Sequence, residues 1–467
     1  MTKVLVLDLG TTYFKASIFS EDGELCVLRQ CPTPSTSPLE GRHEIDPDLF
    51  RSTITTLIHS LADEQKSILA EVTAVTFSTQ TNSFLLLGEH DAPLSPIIVW
   101  NDQRAQGTTN FSSLDDFHAT TGIPALGHEF MVAKLLWLRE HEPETLAHTK
   151  RLCLLSDYLT LWLTGQHISE AGTMGLTGLI NIHTLDYCPK VLEQFQVNPK
   201  WLPTIARAGT DLGQIALKVA EALALTANCR FIVGCLDQYA GAIGAGNVSP
   251  GSVSETTGTV LATVRCVQEA NAHNDPAVFL GPGFDEGQYF QMLFGDTSGN
   301  LLECYRDLLP EHHTFTDLDH AAALIPAGAS GLQLPWREDA HSLRNTLLDW
   351  STRYRYDQAV RAILEGVAFA LHDQLTRLCG EESPDTITCV GGAARSELWL
   401  QIKADILNVT TTSIHCPEPT SLGAAMLALR TLCDTDLLRL TERCSTPHST
   451  ATPNAVNHQL YQNQMNT

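Results

Sequence analysis

The chain has 467 residues and a formal net charge of −24, with 43% apolar side chains. Its length allows two or three domains, each with a full core. Its acidity argues against nucleic acid or an anionic membrane surface as a partner, because both would repel it. The 13 cysteines include no C-x-x-C pair, so neither a zinc site nor a disulfide framework is predicted, and a reducing cytoplasm is the expected location. No apolar run reaches the roughly 18 residues of a membrane span.

The N-terminal residues predict a strand, a tight turn and a second strand. Val4–Leu7 is a continuous apolar run of the kind buried on both faces of a sheet, and no signal-peptide cleavage pattern follows it. Asp8 ends the run, Gly10–Thr12 form the turn, and Lys15 lies just beyond. Backbone N–H groups, hydroxyls and a cation beside a carboxylate suit a metal-bound phosphate. The same residues also fit a plain β-hairpin.

Two further strands are predicted to end in polar clusters. The strand Val72–Ser78 leads into the cluster Gln80–Asn82, and the strand Pro96–Trp100 leads into Asn101–Arg104. Either cluster alone fits a capped turn. Polar groups at several strand ends of one sheet instead indicate a pocket.

A third strand end carries a carboxylate. The apolar strand Phe231–Val233 breaks at Gly234, and Asp237 and Gln238 follow, before a helix rich in alanine and glycine. Small residues let such a helix pack closely against other backbone. A carboxylate at a strand tip beside that helix lies where α/β folds place their ligands. The alternative is that Asp237 only caps the helix.

The second half of the chain repeats the first in outline. A strand at Ser252–Glu255, a hydroxyl-rich turn at Thr256–Thr259 and a strand at Val260–Val264 predict a second phosphate-binding hairpin facing a shared cleft. Further on, the strand Ile387–Val390 meets Gly391–Ala394 before a helix. The free N–H groups at a helix N-terminus suit a nucleotide phosphate, although an ordinary βα turn has the same pattern.

Hydrophobic periodicity predicts the other elements. Helices are expected at Pro47–Leu61, Met131–His141, Leu152–Leu163, Leu212–Leu225, Gly299–Leu309, Tyr356–Leu378, Glu397–Leu407 and Ser421–Leu432. Strands are expected at Phe84–Leu87, Tyr289–Phe294 and Gly331–Trp336. Residues 445–467 are polar and are expected to be disordered or only tethered.

Several stretches, in the same order along the chain, resemble the motifs of one enzyme family, the FGGY carbohydrate kinases. They are DLGTT at Asp8–Thr12, STQTN at Ser78–Asn82, IVWNDQRA at Ile98–Ala105, KLLWLREHEPE at Lys134–Glu144, SDYLTLWLTG at Ser156–Gly165, GCLDQYAGAIGAG at Gly234–Gly246, TTGT at Thr256–Thr259, ILEGVAFAL at Ile363–Leu371 and VGGAARSELW at Val390–Trp399.

The resemblance implies an α/β fold of two actin-like, ribonuclease-H-like domains with the active site in the cleft between them. It implies a sugar-binding domain at residues 1–246, a nucleotide-binding domain at 247–444 and a polar tail at 445–467. The implied reaction transfers the γ-phosphoryl group of ATP to a hydroxyl of a sugar or polyol, with Mg²⁺ as the cofactor. The implied partners are therefore ATP and a small sugar, and the oligomeric state, a homodimer included, stays open.

The resemblance also implies roles for individual residues. Asp237 matches the catalytic base, and Asp8 matches the carboxylate that holds Mg²⁺ through water, with Asp237 beside it at the metal. The residues matching the sugar side are Thr81, Asn82, Trp100, Asp102, Asp237 and Gln238. The residues matching the nucleotide side are Thr11, Thr12, Lys15, Gly258, Thr259, Gly299, Glu303, Gly392 and Ser396. Lys15 stands where the family often has Arg, and Glu303 stands where some members have Gln.

The sugar side departs from the patterns of the better-known members. Glycerol kinases carry Arg-Glu and xylulokinases carry Met-His where this chain has Thr81-Asn82, whereas the motif from Trp100 to Arg104 resembles the xylulokinase form. A ketopentose such as xylulose is therefore the leading expectation, and another ketose or a polyol is the alternative. A non-kinase actin-like ATPase and a degenerate regulatory kinase are further alternatives, and the presence of both Asp8 and Asp237 argues against the last.

Overall fold

We describe residues 2–63, 67–107, 116–270, 275–380 and 382–465 in a computed structural model of the chain. The strands of the first half are β1 (Lys3–Leu9), β2 (Tyr13–Ser20), β3 (Leu25–Pro32), β4 (Ser35–Thr36), β5 (Glu44–Ile45), β6 (Val72–Thr79), β7 (Phe84–Leu87), β8 (Ile97–Ile98), β9 (Arg151–Leu154), β10 (Ile168–Glu170), β11 (Thr204–Ala206), β12 (Asp211–Gln214), β13 (Arg230–Ile232) and β14 (Cys235–Leu236). Its helices are α1 (Pro47–Ser60), α2 (Phe117–Thr121), α3 (Met131–His141), α4 (Pro143–His148), α5 (Leu155–Thr164), α6 (Ala171–Gly175), α7 (Pro189–Gln194), α8 (Leu217–Ala222) and α9 (Asp237–Gly244).

The second half has the same alternation of strands and helices. Its strands are β15 (Val253–Thr257), β16 (Leu261–Val267), β17 (Phe279–Pro282), β18 (Tyr289–Gly295), β19 (Thr386–Val390), β20 (Thr410–Ile414) and β21 (Pro447–Ala451). Its helices are α10 (Gly299–Leu308), α11 (Phe315–Ala323), α12 (Ala340–Arg353), α13 (Tyr356–Cys379), α14 (Glu397–Leu407), α15 (Pro419–Leu432), α16 (Leu437–Cys444) and α17 (Ala455–Met465).

Each half contains one large mixed sheet with the same strand order. In the first half the order is β12-β13-β6-β1-β2-β3, with β14 also beside β6. In the second half, written from the corresponding edge, the order is β21-β20-β19-β15-β16-β18-β17. In both sheets an antiparallel hairpin, β1–β2 or β15–β16, has a parallel neighbour, β6 or β19. The expected duplication of the two halves is therefore present in the topology. A separate sheet in the order β4-β5-β8-β7-β9 belongs to the first half.

Two helices join the halves by crossing each other. α9 contacts β15 and β16 of the second sheet, while α15 contacts β1 and β6 of the first. Both helices contribute to one hydrophobic core that also contains residues of both large sheets. A Cβ atom at Gly423 would lie 1.8 Å from the carbonyl oxygen of Ala240, and one at Gly244 would lie 1.9 Å from that of Pro419. The small residues of α9 are thus explained by this close crossing.

Several sequence-based expectations about secondary structure are wrong. The helix expected at Leu212–Leu225 is instead β12 followed by the short α8, because Gly213 has φ of 90°, which a helix does not allow. The helix expected from Leu152 begins only at Leu155, after β9. The strand expected at Gly331–Trp336 does not form, and Gly331 has φ of 89° in a turn.

The C-terminal segment is ordered, contrary to expectation. β21 pairs with β20 in the second sheet, and α17 follows it. Tyr461 of α17 is fully buried, and its hydroxyl donates a hydrogen bond of 2.7 Å to Oε1 of Glu365. A single buried aromatic residue with a satisfied hydroxyl anchors an otherwise polar helix, which composition alone did not reveal.

Two further features concern membrane-spanning helices and the cysteine side chains. Within the ranges given above, no helix is long and apolar enough to cross a membrane. All 13 cysteines carry free thiols.

The helix crossing leads to the first testable prediction. Gly423→Ala places a methyl group against the backbone of α9, which can yield only by separation of the helices. Overpacking of a core typically costs about 1–3 kcal/mol, so we expect a clear fall in Tm by differential scanning calorimetry. Cys433→Ala, at an exposed residue just after the same helix, is the control and should leave Tm unchanged. An unaltered Tm in Gly423→Ala would show that the crossing is not tightly packed in solution.

Candidate active site

The two predicted carboxylates lie at one edge of the first sheet. Asp8 in β1 pairs with Ser78 of β6, and on the other side of β6 Cys235 of β14 pairs with the same residue. Asp237 follows β14 directly, so the two aspartates flank the end of the central strand. Gly234 makes this possible, because a Cβ at that position would lie 1.8 Å from the carbonyl oxygen of Phe77 in β6.

The pKa values of both aspartates lie above the usual range for aspartate. Burial, and secondarily the negative charge of Asp8, raise the pKa of Asp237 to about 7. Burial likewise raises the pKa of Asp8 to about 6, against the lowering effect of the nearby Lys15 ammonium. A group with a pKa near neutrality can exchange a proton at physiological pH, which suits a general base.

The capping alternative for Asp237 does not hold. α9 begins at Asp237 itself, with Leu236 as the N-cap residue. The Asp237 Oδ1 atom accepts a hydrogen bond of 2.7 Å from the N–H of Gln238. Both side chains are partly exposed, so the carboxylate still has acceptor capacity for a ligand.

The site also has the chemistry to hold a divalent cation. The ionised forms of two carboxylates whose pKa values are raised by burial would both be stabilised by a nearby cation. Mg²⁺ typically uses one or two carboxylates, together with water and phosphate oxygens. Asp8 and Asp237 match that sparse donor set. Within the described ranges, no group of three or more histidine, cysteine or acidic side chains is arranged to hold a metal.

An ion pair connects the predicted phosphate-binding hairpin of the first half to the second half of the chain. Lys15 of β2 forms an ion pair with Glu418, with 2.6 Å between Nζ and Oε2. Glu418 is the residue immediately before α15, and its charge also contributes to the raised pKa of Asp8. Glu418 was missed in the sequence, where the only signal was an acidic residue before a proline that opens a helix. Thr12 of the same hairpin is exposed.

A hydrogen-bonded chain connects the sugar-side and phosphate-side residues. Trp100 is 38% exposed, and its Nε1–H donates a hydrogen bond of 2.8 Å to the hydroxyl of Thr11. That hydroxyl donates to Oε1 of Gln80 at 3.3 Å. Lys134 donates to the carbonyl oxygen of Trp100 at 2.7 Å. Thr81 is partly exposed and donates to the carbonyl oxygen of Thr173 at 2.8 Å.

The predicted nucleotide-side residues of the second half line a single cavity of about 870 Å³. They are Gly258, Thr259, Gly299, Glu303, Gly392 and Ser396. The cavity lies between the β15–β16 hairpin and the N-termini of α10 and α14. Ser396 caps α14 by accepting a hydrogen bond of 2.9 Å from the N–H of Trp399, and it donates to Asp319 of α11. Asp319, His320 and Trp399 also line the cavity and were not predicted.

Comparison with known protein families identifies the family of the chain. Residues 3–244 match the N-terminal domain of the FGGY family of carbohydrate kinases, and residues 309–432 match the C-terminal domain. The chain belongs to this family. It is therefore a carbohydrate kinase with the two-domain α/β fold of FGGY kinases.

Individual relatives carry different names. The chain is 26% identical to a xylulose kinase of Lactococcus lactis, over 92% of this chain and 87% of the relative. It is 26% identical to a glycerol kinase of a Janthinobacterium species, over 91% of this chain and 89% of the relative. The crystal structure of a gluconate kinase from Lactobacillus acidophilus superposes with a TM-score of 0.87 at 23% identity, covering 99% and 96% of the two chains. The last comparison shows the shared fold alone.

Two sugar-side residues of this FGGY kinase are internal and not open to a ligand. Asn82 is 6% exposed; its Nδ2 donates to the carbonyl oxygen of Leu176, and its Oδ1 accepts from the N–H of Met131, both at 3.0 Å. Asp102 is 0% exposed and accepts from Arg104 and from the N–H of His43, each at 2.7 Å. The expectation that these two side chains contact the sugar is therefore corrected: both hold loops in place.

The second prediction concerns Asn82. Asn82→Ala leaves the buried N–H of Met131 and carbonyl of Leu176 without a partner, which costs about 1–3 kcal/mol. Asn82 also has φ of 60°, a conformation that asparagine tolerates better than alanine. We expect a lower Tm with an unchanged KM for the sugar. A raised sugar KM at an unchanged Tm would return Asn82 to the binding site.

The third prediction follows from the raised pKa of Asp237. Aspartate in an unfolded chain ionises near pH 3.9, whereas the folded-state pKa is about 7. Ionisation of Asp237 therefore destabilises the folded state progressively as pH rises through this interval. We expect Asp237→Asn to have a higher Tm than the wild type at about pH 8, and this difference should disappear below about pH 3, where the side chain is protonated in both states.

Asp317→Asn provides a control of opposite sign. Hydrogen bonds from Thr314 lower the pKa of Asp317, so its charge favours the folded state above the unfolded pKa. This variant should have a lower Tm than the wild type at about pH 8, with the difference lost as pH falls through the folded pKa. If Asp237→Asn also lowered Tm at the higher pH, the pKa of Asp237 would not be raised in the folded state.

Proposed function

We propose that this kinase transfers the γ-phosphoryl group of ATP to a hydroxyl of a ketopentose such as xylulose, with Mg²⁺ held near Asp8. The observation that carries the proposal is the Asp237 carboxylate at the end of β14, beside Asp8 and with a pKa of about 7. Phosphoryl transfer requires an oriented nucleophile and stabilisation of charge on the phosphoryl oxygens. The described residues are suited to both tasks.

Asp237 acts as the base in this proposal. Its carboxylate accepts the proton of the attacking sugar hydroxyl as the oxygen bonds to the γ-phosphorus, and the bond from that phosphorus to the bridging oxygen breaks, leaving ADP. Gln238 orients the substrate beside it. A bound Mg²⁺ would neutralise phosphate charge, and Asp8 with Asp237 would hold it. Lys15 adds a positive point charge at the same hairpin.

The nucleotide is proposed to bind in the cavity of the second half. Adenosine lies against Gly299, Glu303, Gly392 and Ser396, and its phosphates reach the hairpin at Gly258 and Thr259. The support is that these residues line one cavity of about 870 Å³, within the usual size range of a ligand pocket. In the first half, Thr11 and Thr12 are proposed to contact the terminal phosphates from the opposite side.

A neutral sugar fits the sugar side better than a sugar acid. Thr81 and Gln238 are partly exposed, and both can bind hydroxyl and carbonyl groups without a charge. Trp100 also offers an aromatic face to the apolar side of a sugar ring or chain. The xylulose kinase relative agrees with a ketopentose, and the glycerol kinase relative keeps a polyol as the second candidate.

The fourth prediction tests the reaction and its substrate together. In a coupled assay of ADP release across ketopentoses, ketohexoses, aldoses, glycerol and gluconate, we expect xylulose to give the highest kcat/KM. Asp237→Ala should lower kcat by roughly 10²–10⁴-fold, as for loss of a general base, while ATP binding by calorimetry is retained. Asp307→Ala, at an exposed carboxylate of α10, is the control.

Each alternative outcome has a definite meaning. ADP release that does not depend on an added sugar would indicate an ATPase of the actin-like type. A highest kcat/KM for glycerol or gluconate would keep the kinase mechanism and replace the ketopentose. Near-normal turnover in Asp237→Ala would remove Asp237 as the base.

A further inference from the structure

A completely buried ion pair lies beneath the hairpin that joins β15 to β16. Lys403 of α14 and Glu255 of β15 are both 0% exposed at their side chains, and 2.5 Å separates Nζ from Oε1. The two residues are far apart in sequence; Glu255 ends the first strand predicted for the second hairpin, and Lys403 was not singled out in the sequence analysis. Taking two charges out of water costs several kcal/mol for each ion, so the pair needs a reason beyond ordinary packing.

The pair forms a closed ring of hydrogen bonds with Thr257. Lys403 donates to the Thr257 hydroxyl at 3.0 Å, and that hydroxyl donates to the second oxygen of Glu255 at 2.6 Å. The ammonium also lies 5.3 Å from the centre of the Trp399 ring, within the range of a cation–π contact. The Thr257 hydroxyl thus has its single proton committed to Glu255, which locks its side-chain rotamer.

Two members of this arrangement face the nucleotide cavity. Thr257 and Trp399 both line it, and Thr257 is followed directly by Gly258 and Thr259 at the hairpin tip. On its other side the tip lies against Ser298, whose hydroxyl oxygen is 3.0 and 2.8 Å from the carbonyl oxygens of Gly258 and Thr259 and can donate its one proton to either of them. The buried ring therefore fixes the last residue of β15 from below, while Ser298 fixes the tip.

We propose that Glu255 and Lys403 are positioning residues for nucleotide binding, acting through Thr257 on the β15–β16 hairpin and through Trp399 on the wall of the cavity. The inference rests on the proposed nucleotide role of that cavity. With its hydroxyl proton committed, Thr257 would contribute to phosphate binding through the fixed placement of hairpin backbone N–H groups. The role of the ion pair is thus to position Thr257 and Trp399, and not to stabilise the fold.

This reasoning makes a distinctive prediction about stability and binding. Replacement of a buried ion pair by apolar residues of similar size is often neutral or stabilising. The double variant Glu255→Leu with Lys403→Met should therefore keep a near-normal Tm, but it frees the Thr257 side chain. Loss of one well-aligned hydrogen bond to a charged phosphate lowers affinity roughly 10- to 100-fold, so we expect the KM for ATP and the dissociation constant for ADP to rise roughly 10- to 100-fold. The KM for the sugar should be unchanged.

A second double variant tests the role of the Thr257 hydroxyl. Glu255→Gln with Lys403→Met removes both charges but restores an acceptor for that hydroxyl. It should recover most of the ADP affinity lost in the apolar variant. The single variant Lys403→Met leaves Glu255 buried and unpaired and is expected to be strongly destabilised, so the two double variants carry the test.

The matched control is another buried ion pair in the same half. Arg361 and Glu365 of α13 have side-chain exposures of 7% and 3% and lie 2.7 Å apart, and Glu365 also accepts from Tyr461 of the C-terminal helix. Arg361→Met with Glu365→Leu removes a buried pair in the same manner and should leave ADP affinity unaltered. If the Glu255→Leu/Lys403→Met variant also leaves ADP affinity unaltered, the proposal is overturned.

Calorimetric titration of ADP into the full-length chain separates this inference from the proposed function. If the wild type binds no ADP, the nucleotide assignment of the cavity fails, and the positioning role fails with it. If the wild type binds ADP and the apolar double variant binds it equally well, only the positioning role fails.

Discussion

The central constraint in this molecule is the burial of two carboxylates that the first sheet places at the same edge. Asp8 and Asp237 come from strands on either side of β6, and the backbone of β6 fits closely enough that only glycine is accommodated at position 234. The fold could lower the cost of ionising these carboxylates by exposing either side chain to water. It instead keeps both in a recess, with pKa values near 6 and 7. Burial of these two carboxylates thus lowers the stability of the folded chain near neutral pH. In the proposed function, the same two groups bind a cation and accept a proton from the substrate.

The remainder of the site depends on contacts between segments that are distant in sequence. Lys15 reaches Glu418 from the other half, Trp100 reaches Thr11, and Ser396 reaches Asp319. Each contact fixes one residue of a proposed binding surface by means of a residue from a different element. Substrate specificity in such a site is determined by the supporting contacts as much as by the residues that touch the ligand.

The sequence was informative where function requires a residue type at a strand end, and uninformative where long-range packing decides. Asp8 and Asp237 could be identified because each follows an apolar run and belongs to a motif. The partly exposed Thr81 and the buried Asn82 are adjacent in sequence, and nothing local distinguishes them. Their difference comes from Leu176 and Met131, which approach Asn82 only in the folded chain.

The same limitation explains the C-terminal error. The polar composition of residues 445–467 predicted disorder, but β21 extends the second sheet and Tyr461 fills a buried position. Lys403 was also unrecognisable in the sequence, since its helix pattern is that of an ordinary amphipathic segment. The structural roles of such residues can be recognised only when the residues that they contact in the folded chain are known.

The crossing of α9 and α15 has a consequence for how such a molecule could arise. Each helix follows the sheet of its own half but lies against the sheet of the other, and the crossing is so close that glycines meet the opposing backbone at Gly244 and Gly423. A lone half would lose the contacts that its sheet makes with the helix of the other half. If the two halves descend from one ancestral unit, a second copy of that unit would have supplied these contacts, and fusion of the two copies into one chain would have made them permanent.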